Sequence, residues 1–432
     1  MTEPVRRLPA GWQMYLFFGL YPVLWVLGLS YFLWPAMAVV FCASLCLRRP
    51  VRVPPGFGLW GLFLLWMLAS VIELDSSQRL MFFGWRALIY VTATALLLWV
   101  YNASEDELPS DAVAGALTCL WAVSILGGLV GVFYPELSFH SLAQQMLPKS
   151  ILSNPTVYAY VHPALAEMQF KALGHPIGRP MTFYAYTNQW AAAVGVLTPF
   201  AIITAMRARR RFTRHLVIAL LAVSAIPVVI SINRGLWIAL GVALVFVTVK
   251  MTATGRSRVL LAVLGLCTVV AAVIVLSPLG GIIHERLTSQ RNSNGTRSTL
   301  YQEAFSGVGR SPLFGFGSPR ASAYTSAGNA HVGTQGQFYL VLFSHGIPAM
   351  LCYLGWFLFT SLHALRRKRV DTILWNCVIL MSFTEMMVYD FLPVTMYVVM
   401  IACGLLWRER RLEPAPAMRP ESPINLVAAY GA

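Results

Sequence analysis

Long apolar runs alternate with short polar breaks along this chain, and the runs have the length that crosses a lipid bilayer. Spans are expected at Met14–Ser30 and Tyr31–Leu47, the second with Pro35 near its start, then at Phe57–Ile72, Leu80–Tyr101 and Ala112–Tyr134. A polar interval, Pro135–Thr182, precedes Phe183–Met206, His215–Ile232, Gly235–Val249 and Val259–Ser277. A second, longer interval leads to Gly336–Leu362, Thr372–Asp390 and Leu392–Trp407. The expected fold is an all-α polytopic membrane protein with about twelve transmembrane helices. Residues 1–412 read as one transmembrane domain, with polar loops at 135–182 and 278–335, the latter between the ninth and tenth spans. The tail at 413–432 is Pro-rich and expected to be a disordered cytoplasmic segment. No internal repeat is evident. The first apolar run, from about Trp12 to Leu47, is far longer than the apolar core of a cleavable signal, so none is expected.

Composition agrees. The 432 residues are 57% hydrophobic and 11% charged, with a mean hydropathy of +0.65, whereas a soluble chain carries about 25% charged residues. A formal net charge of +15 would suggest nucleic acid in a soluble protein. The distribution gives a better explanation. With the N-terminus in the cytoplasm, every short basic cluster falls inside: Arg6 and Arg7, Arg48 to Arg52, Arg207 to Arg214, Lys250 to Arg258, Arg366 to Arg369, and Arg408 to Arg419. Both termini are then cytoplasmic, both long polar intervals lie outside, and no nucleic-acid partner is implied. The seven cysteines (42, 46, 119, 267, 352, 377, 403) sit in apolar segments without a Cys-x-x-Cys pair. They read as buried and structural, and neither a metal site nor a cofactor is expected.

The remaining basic residues carry the candidate chemistry. The stretch from Pro278 to Gly346 holds five arginines, 286, 291, 297, 310 and 320. Arg179 precedes the turn back into the membrane, and Arg234 lies in the tight return Ser231-Ile-Asn-Arg-Gly235. Such short loops hold a guanidinium at the membrane boundary, where snorkelling to lipid headgroups is the ordinary role. Arg79 and Arg86 are two helical turns apart on one face. Arg86 lies about two turns into the hydrocarbon, where a cation needs a partner; Glu73 or Asp75 is the ordinary one. Several arginines at one depth suit a diphosphate, since guanidinium stays charged and binds phosphate oxygens bidentately. The long loop is thus expected to close over a charged, lipid-linked substrate. Gly315 and Gly317, bracketed by Pro312 and Pro319, read as a plain turn rather than a nucleotide motif.

The order of these features resembles the O-antigen ligase/O-antigen polymerase superfamily of bacterial cell-envelope glycan enzymes. The matching residues are Arg179, Phe183 and Asn188 at the re-entry, Ser231, Arg234 and Gly235 in the turn, Arg297 and Tyr301 in the large loop, Ser311 to Gly317, and Gly346-Ile-Pro348. The likeness is strong over about 150 to 350 and elsewhere rests on topology. It implies a GT-C-like glycosyltransferase of the bacterial inner membrane with an extracytoplasmic active face. It also implies a metal-independent, inverting transfer of an oligosaccharide from undecaprenyl pyrophosphate to a hydroxyl of a glycan or glycolipid acceptor. Arg179 and Arg234 would hold the pyrophosphate with Arg297 near it, and Arg86, Asn188, Arg320 and Gln335 would complete the substrate-binding set. Ligases carry a histidine eleven positions before the glycine at 346, where this chain has Gln335. An amide does not titrate in this range, so His331, four residues earlier, takes that role only if the helix already starts there. This departure favours a polymerase or another glycan transferase over a lipid A ligase. His345 is expected to bond locally.

Other readings stay open. Glu73-Leu-Asp75 resembles the acidic pair of metal-dependent polyprenyl-phosphate-sugar transferases, but follows the third span instead of the first. A transporter or flippase for a lipid-linked or anionic substrate would also have many spans, although it should show repeated halves. Glu385 and Asp390 are its best features; they serve equally to bind acceptor hydroxyls or to neutralise Arg86.

Overall fold

The computed structural model describes residues 10–47, 50–169, 176–258, 260–261, 263–265, 291–324 and 331–412, with backbone alone at 291–294. The protein is mostly helical (73%) with almost no sheet. Two short helices, α1 (Trp12–Gly19) and α2 (Tyr21–Val26), stand where one span was expected at Met14–Ser30. Pro22, which has no N–H to continue a helix, opens the second of them. Then come α3 (Ser30–Leu47), α4 (Phe57–Ala69) with a 3₁₀ turn over Ser70–Glu73, α5 (Ser77–Asn102) and α6 (Ser110–Phe133). The first polar interval folds into α7 (Leu142–Met146), α8 (Lys149–Leu152), α9 (Pro155–Val161) and an antiparallel hairpin, β1 (Ala166–Gln169) with β2 (Ile177–Pro180). Next are α10 (Thr187–Arg207), α11 (Arg211–Val223), α12 (Ala225–Ile230) and α13 (Arg234–Ala253). The long loop contributes α14 (Arg291–Arg310) and a second hairpin, β3 (Arg320–Ala321) with β4 (His331–Val332). Three helices end the bundle: α15 (Gln337–Ala364), α16 (Val370–Glu385) and α17 (Val394–Leu412).

Among the described residues, seven helical segments are long and apolar enough to cross a membrane: α3, α5, α6, α10, α11 joined to α12, α13, and α15. α4 and α16 are shorter, and α17 ends in Arg408-Glu-Arg-Arg411. Most of the expected span Val259–Ser277, with Cys267, Arg286 and the tail from Glu413, lies outside the described residues.

α10 is the central helix. Its apolar window is 72% buried, against 17% for α13, and it packs on α6, α16 and α17. Fully buried tryptophans, Trp121 and Trp190 among them, fill the space between these helices, and Trp407 packs α17 onto Phe359 and His363 of α15. The peripheral helices expose Phe212, Leu216, Ile218 and Val245, apolar side chains suited to a lipid surround. Cys377 and Cys403 are buried, but Cys42, Cys46 and Cys119 are exposed on helix surfaces. The expectation of uniformly buried cysteines is corrected: against lipid, an apolar outer surface suits a thiol as well as a core does.

Ion pairs tie the two ends of the bundle differently. At the end holding the short basic loops, Arg207 pairs with Asp111 and Asp371, and Arg369 with Glu409. Arg408, buried in full, pairs with Glu105 and donates to the Leu108 carbonyl at 2.7 Å. These contacts join α6, α10, α16 and α17. The described parts of both polar intervals lie at the opposite end.

There the long loop docks into a break in α15. Gly346 has φ 80°, in the left-handed region, and Pro348 offers no N–H to the Ser344 carbonyl. The freed carbonyls of Phe343 and Ser344 accept from the N–H groups of Phe316 (3.0 Å) and Gly317 (2.7 Å), and Ile347 N–H donates to Pro312 (2.8 Å). The Pro312–Pro319 segment is therefore more than a plain turn, which corrects that expectation. Gly315 and Gly317 lie against broken helix backbone, and a Cβ on Gly346 would stand 2.2 Å from the Leu313 oxygen. Irregular backbone at such a depth is tolerated where protein satisfies it. Gly346→Ala should lower the detergent melting temperature by about 3 °C or more, as expected for strain of roughly 1–3 kcal/mol; an unchanged melting curve would contradict this docking.

Candidate functional site

The site is built on two turns that lead back into the bundle. One holds Phe183 at φ 74° and leads into α10; the other holds Ile232 at φ 49° and leads into α13. Neither residue is glycine, so each turn stores on the order of 1–3 kcal/mol of backbone strain. Such strain persists where surrounding contacts fix the chain, and they do so here.

The first hairpin presents Arg179 directly opposite Glu167. Arg179 Nε donates to the Ser231 carbonyl at 2.7 Å, joining the two turns. Asn233 caps α13, its Oδ1 accepting from Leu236 N–H at 3.1 Å and from the Tyr389 hydroxyl. The Asn233 amide donates to Asn188 Oδ1 at 3.1 Å, and Gly235 N–H donates to the Tyr389 oxygen at 2.9 Å. Arg234, half-buried, is the first residue of α13. It therefore stands three residues from the carbonyl that holds Arg179, at a helix N-terminus that itself favours anions.

Arg297 approaches from α14. One turn further along, Tyr301 stacks on Tyr339 of α15 with centroids 4.1 Å apart, over a small apolar cluster of Leu300, Ala304, Phe316, Val332 and Phe343. Burial pushes Arg179 below its ordinary pKa; Glu167 and Tyr389 oppose that shift, and the positive charge of Arg297 adds to it. The Arg297 charge thus reaches Arg179, and Tyr389 interacts with both. Three guanidinium groups around a capped helix start suit the oxygens of a diphosphate.

Arg86 and Arg320 belong to a neighbouring cluster. Asp75 pairs with Arg79 at 2.5 Å and with Arg320 at 3.1 Å. Arg79 also donates to the carbonyls of Phe316 and Ser318, and the Arg320 guanidinium lies 4.3 Å from the centre of the Phe316 ring. Arg86 donates to Ser318 Oγ at 3.2 Å. The expected pairing of Arg86 with Glu73 or Asp75 is corrected. Asp75 lies one turn before Arg79, whereas Arg86 is two turns deeper, where Asp390 and His345 feel its charge. His345 is buried, with Nδ1 2.7 Å from Ser70 Oγ, a side chain 275 positions away in the chain.

The structure does not extend α15 back to His331. The helix starts at Gln337, and His331 is an exposed residue of β4, paired in register with Ala321. A helical stand-in for the missing histidine is thereby corrected: Gly333 and Gly336 keep the intervening backbone extended or left-handed. Gln335 is half-buried ahead of the helix. The fully buried amide is Gln337, whose N–H donates to the Tyr389 carbonyl (2.7 Å) and whose Nε2 donates to the Tyr90 hydroxyl (2.8 Å).

Of the residues expected from sequence, Arg179, Arg234, Arg297 and Asn188 come together, and Arg86 and Arg320 form the second cluster; His331 lies on the hairpin that carries Arg320, and Gln335 lies ahead of α15. Glu167 and Tyr389 were missed as partners of these arginines. Glu167 had no readable signal, because its role comes from strand register. Asn233 had one, as an Asn placed just before an apolar helical run. Among the described residues no group of three or more His, Cys, Asp or Glu is placed to hold a metal ion.

These features define a multi-span membrane protein with a basic, anion-suited site at one end of its bundle. Residues 219–354, which run from α11 into α15 and include Arg234, Arg297 and Arg320, match a family model described as O-Antigen ligase. This bears out the resemblance over that stretch. No curated protein and no solved structure matches the chain.

Arg79 holds the Asp75 carboxyl below its usual range, with Arg320 adding to the effect. A depressed folded-state pKa means that this clasp is intact above the ordinary carboxylate range and is lost as pH falls through the lowered value. Asp75→Asn should speed hydrogen exchange at the Phe316 and Gly317 amides by about tenfold at neutral pH, because the loop then opens locally more often. Unchanged protection would show that the clasp does not hold the loop.

Proposed function

We propose that this protein transfers an oligosaccharide from undecaprenyl pyrophosphate to a sugar hydroxyl of an acceptor glycan or glycolipid, on the extracytoplasmic face of a bacterial inner membrane. The observation that supports this most is the Arg179–Ser231 hydrogen bond, which ties Arg179 to the turn that carries Arg234 three residues on. Arg297 reaches the same field from the loop helix α14. In the transfer, the acceptor oxygen bonds to the anomeric carbon with inversion, the carbon–oxygen bond to the diphosphate breaks, and its electron pair leaves on the diphosphate. The arginines neutralise that charge as it develops, the role a metal plays in other transferases. The exposed apolar side chains Ile226 of α12 and Ile238 of α13, the helices that flank the Arg234 turn, suit the polyprenyl chain. Gln335 at the ligase histidine position, with His331 on a hairpin instead of a helix, favours polymerisation over ligation to lipid A.

In a deletion strain complemented with variants, Arg234→Ala should cut surface-glycan assembly about 100-fold, the effect of losing one transition-state donor, while the protein still inserts. Arg234→Lys should restore little, since a bidentate fork becomes a point charge. Single lipid-linked repeat units should accumulate. Normal glycan with Arg234→Ala would overturn the reading. His331→Ala should retain assembly; its loss would restore a ligase-type histidine.

A further inference from the structure

Arg86 of α5 and Asp390, just beyond α16, are opposite charges held near each other without pairing. Two separate chains of contacts bring them together. In one, Tyr90 lies one turn beyond Arg86 on α5, and its hydroxyl accepts from Gln337 Nε2 at 2.8 Å. Gln337 Oε1 in turn accepts from the N–H of Phe391, the residue after Asp390, at 3.5 Å. In the other, Trp85 packs on Tyr160 of α9, which stacks on Tyr31 of α3 with centroids 4.0 Å apart. The Tyr31 hydroxyl donates to Gln189 Oε1 at 2.8 Å, and Gln189 Nε2 donates to the Leu392 carbonyl at 3.1 Å. Asp390 feels the Arg86 charge across this ring of contacts, yet among the described residues no ion pair joins the two. Arg86 spends one nitrogen on Ser318 Oγ, and Asp390 spends one oxygen on Leu392 N–H at 3.1 Å. Asp390 Oδ2 and Arg86 Nε and Nη2 make no hydrogen bond among the described residues, and none of the three is sealed from solvent.

Half-buried charges left unpaired are costly, and stability alone would favour letting these two meet. Held apart, they leave a polar gap among aromatic rings. Trp85 and Tyr160 belong to one of the two contact chains, and Tyr186, 40% exposed, stands just before α10 beside the Ala185 N–H that donates to the Tyr31 hydroxyl. The Asp390 carboxylate repels a phosphate, and the pair of charges rejects a lipid tail. A sugar ring suits both features. Its hydroxyls donate to a carboxylate and accept from a guanidinium, while its C–H faces pack on aromatic rings. The gap also adjoins the arginine site. Tyr389, next to Asp390 in the chain, bonds the turn that carries Arg234 through its hydroxyl, and Gln337 N–H donates to the Tyr389 carbonyl. We propose that the gap between Arg86 and Asp390 is the subsite for a sugar ring of the acceptor glycan, with Tyr186, Tyr160 and Trp85 as its aromatic walls. This rests on the transfer reading above and names the half of the site that takes the acceptor. Asp390 and Arg86 fix the ring by its hydroxyls, which sets the attacking oxygen beside the arginines that hold the diphosphate.

The test uses the full-length protein in lipid nanodiscs preloaded with undecaprenyl pyrophosphate. The probe is the free oligosaccharide released by mild acid from the lipid-linked glycan of the deletion strain, labelled at its reducing end, with binding read by fluorescence anisotropy. Wild type should bind it saturably, and inorganic pyrophosphate should not displace it. Asp390→Ala should weaken binding about tenfold or more, the worth of a hydrogen bond to a charged group, and Asp390→Asn should recover part of that loss. Tyr186→Ala should weaken it about fivefold, as expected for one stacking wall. Wild-type affinity in folded Asp390→Ala overturns the proposal. So does the absence of saturable binding by wild type, and so does displacement by pyrophosphate, which would assign the gap to phosphate. Should Asp390→Ala fail to fold, Tyr186→Ala decides, and wild-type affinity there overturns the proposal. Arg234→Ala separates the two claims: it should bind the labelled sugar within about twofold of wild type while losing glycan transfer. Wild-type transfer in Arg234→Ala overturns the transfer reading itself, whereas lost transfer beside wild-type sugar binding in Asp390→Ala removes only the acceptor subsite.

Discussion

The hydrogen bond from Arg179 to the Ser231 carbonyl is the contact on which the site depends. It joins a hairpin residue to a turn 52 positions away in the chain, and so ties the segment that leads into α10 to the turn that leads into α13. A half-buried guanidinium carries its own cost, and Glu167 across the hairpin offsets part of it. Asn233 serves both sides at once: it caps α13 and links to Asn188 and Tyr389. With so many partners fixed, the left-handed backbone at Phe183 and Ile232 persists without glycine.

A second constraint sets the position of the long loop. Gly346 and Pro348 break α15, and the carbonyls left over are taken by the N–H groups of Phe316 and Gly317. The break is thus a socket for the loop. Arg79, Asp75 and Arg320 clasp the same segment to the start of α5. This places α14, with Arg297, over α15 and beside the re-entry turns. At the other end of the bundle charge serves to join helices, through Arg207, Asp111 and Asp371.

The helical membrane fold was legible because apolar run length and basic clustering are strong, local signals. Arginines at the two re-entries could be read as well, since short turns leave a side chain little freedom. What could not be read depends on pairing over distance. Glu167 meets Arg179 only through the hairpin register, and Asp75 takes Arg79 and Arg320 in preference to the deeper Arg86. Gly315 and Gly317 looked like an ordinary turn because their partner, the broken α15, lies 26 or more residues later. His331 looked helical by spacing, but glycines at 333 and 336 stop α15 short of it.

The proposed role of Arg179, Arg234 and Arg297 is to bind a diphosphate. A cryo-electron microscopy reconstruction of the full-length protein in nanodiscs with undecaprenyl pyrophosphate tests it most directly. Diphosphate density is expected among these three guanidinium groups, with the lipid tail leaving along the apolar side of α13. Diphosphate density seated elsewhere, with the three arginines unoccupied, would contradict it.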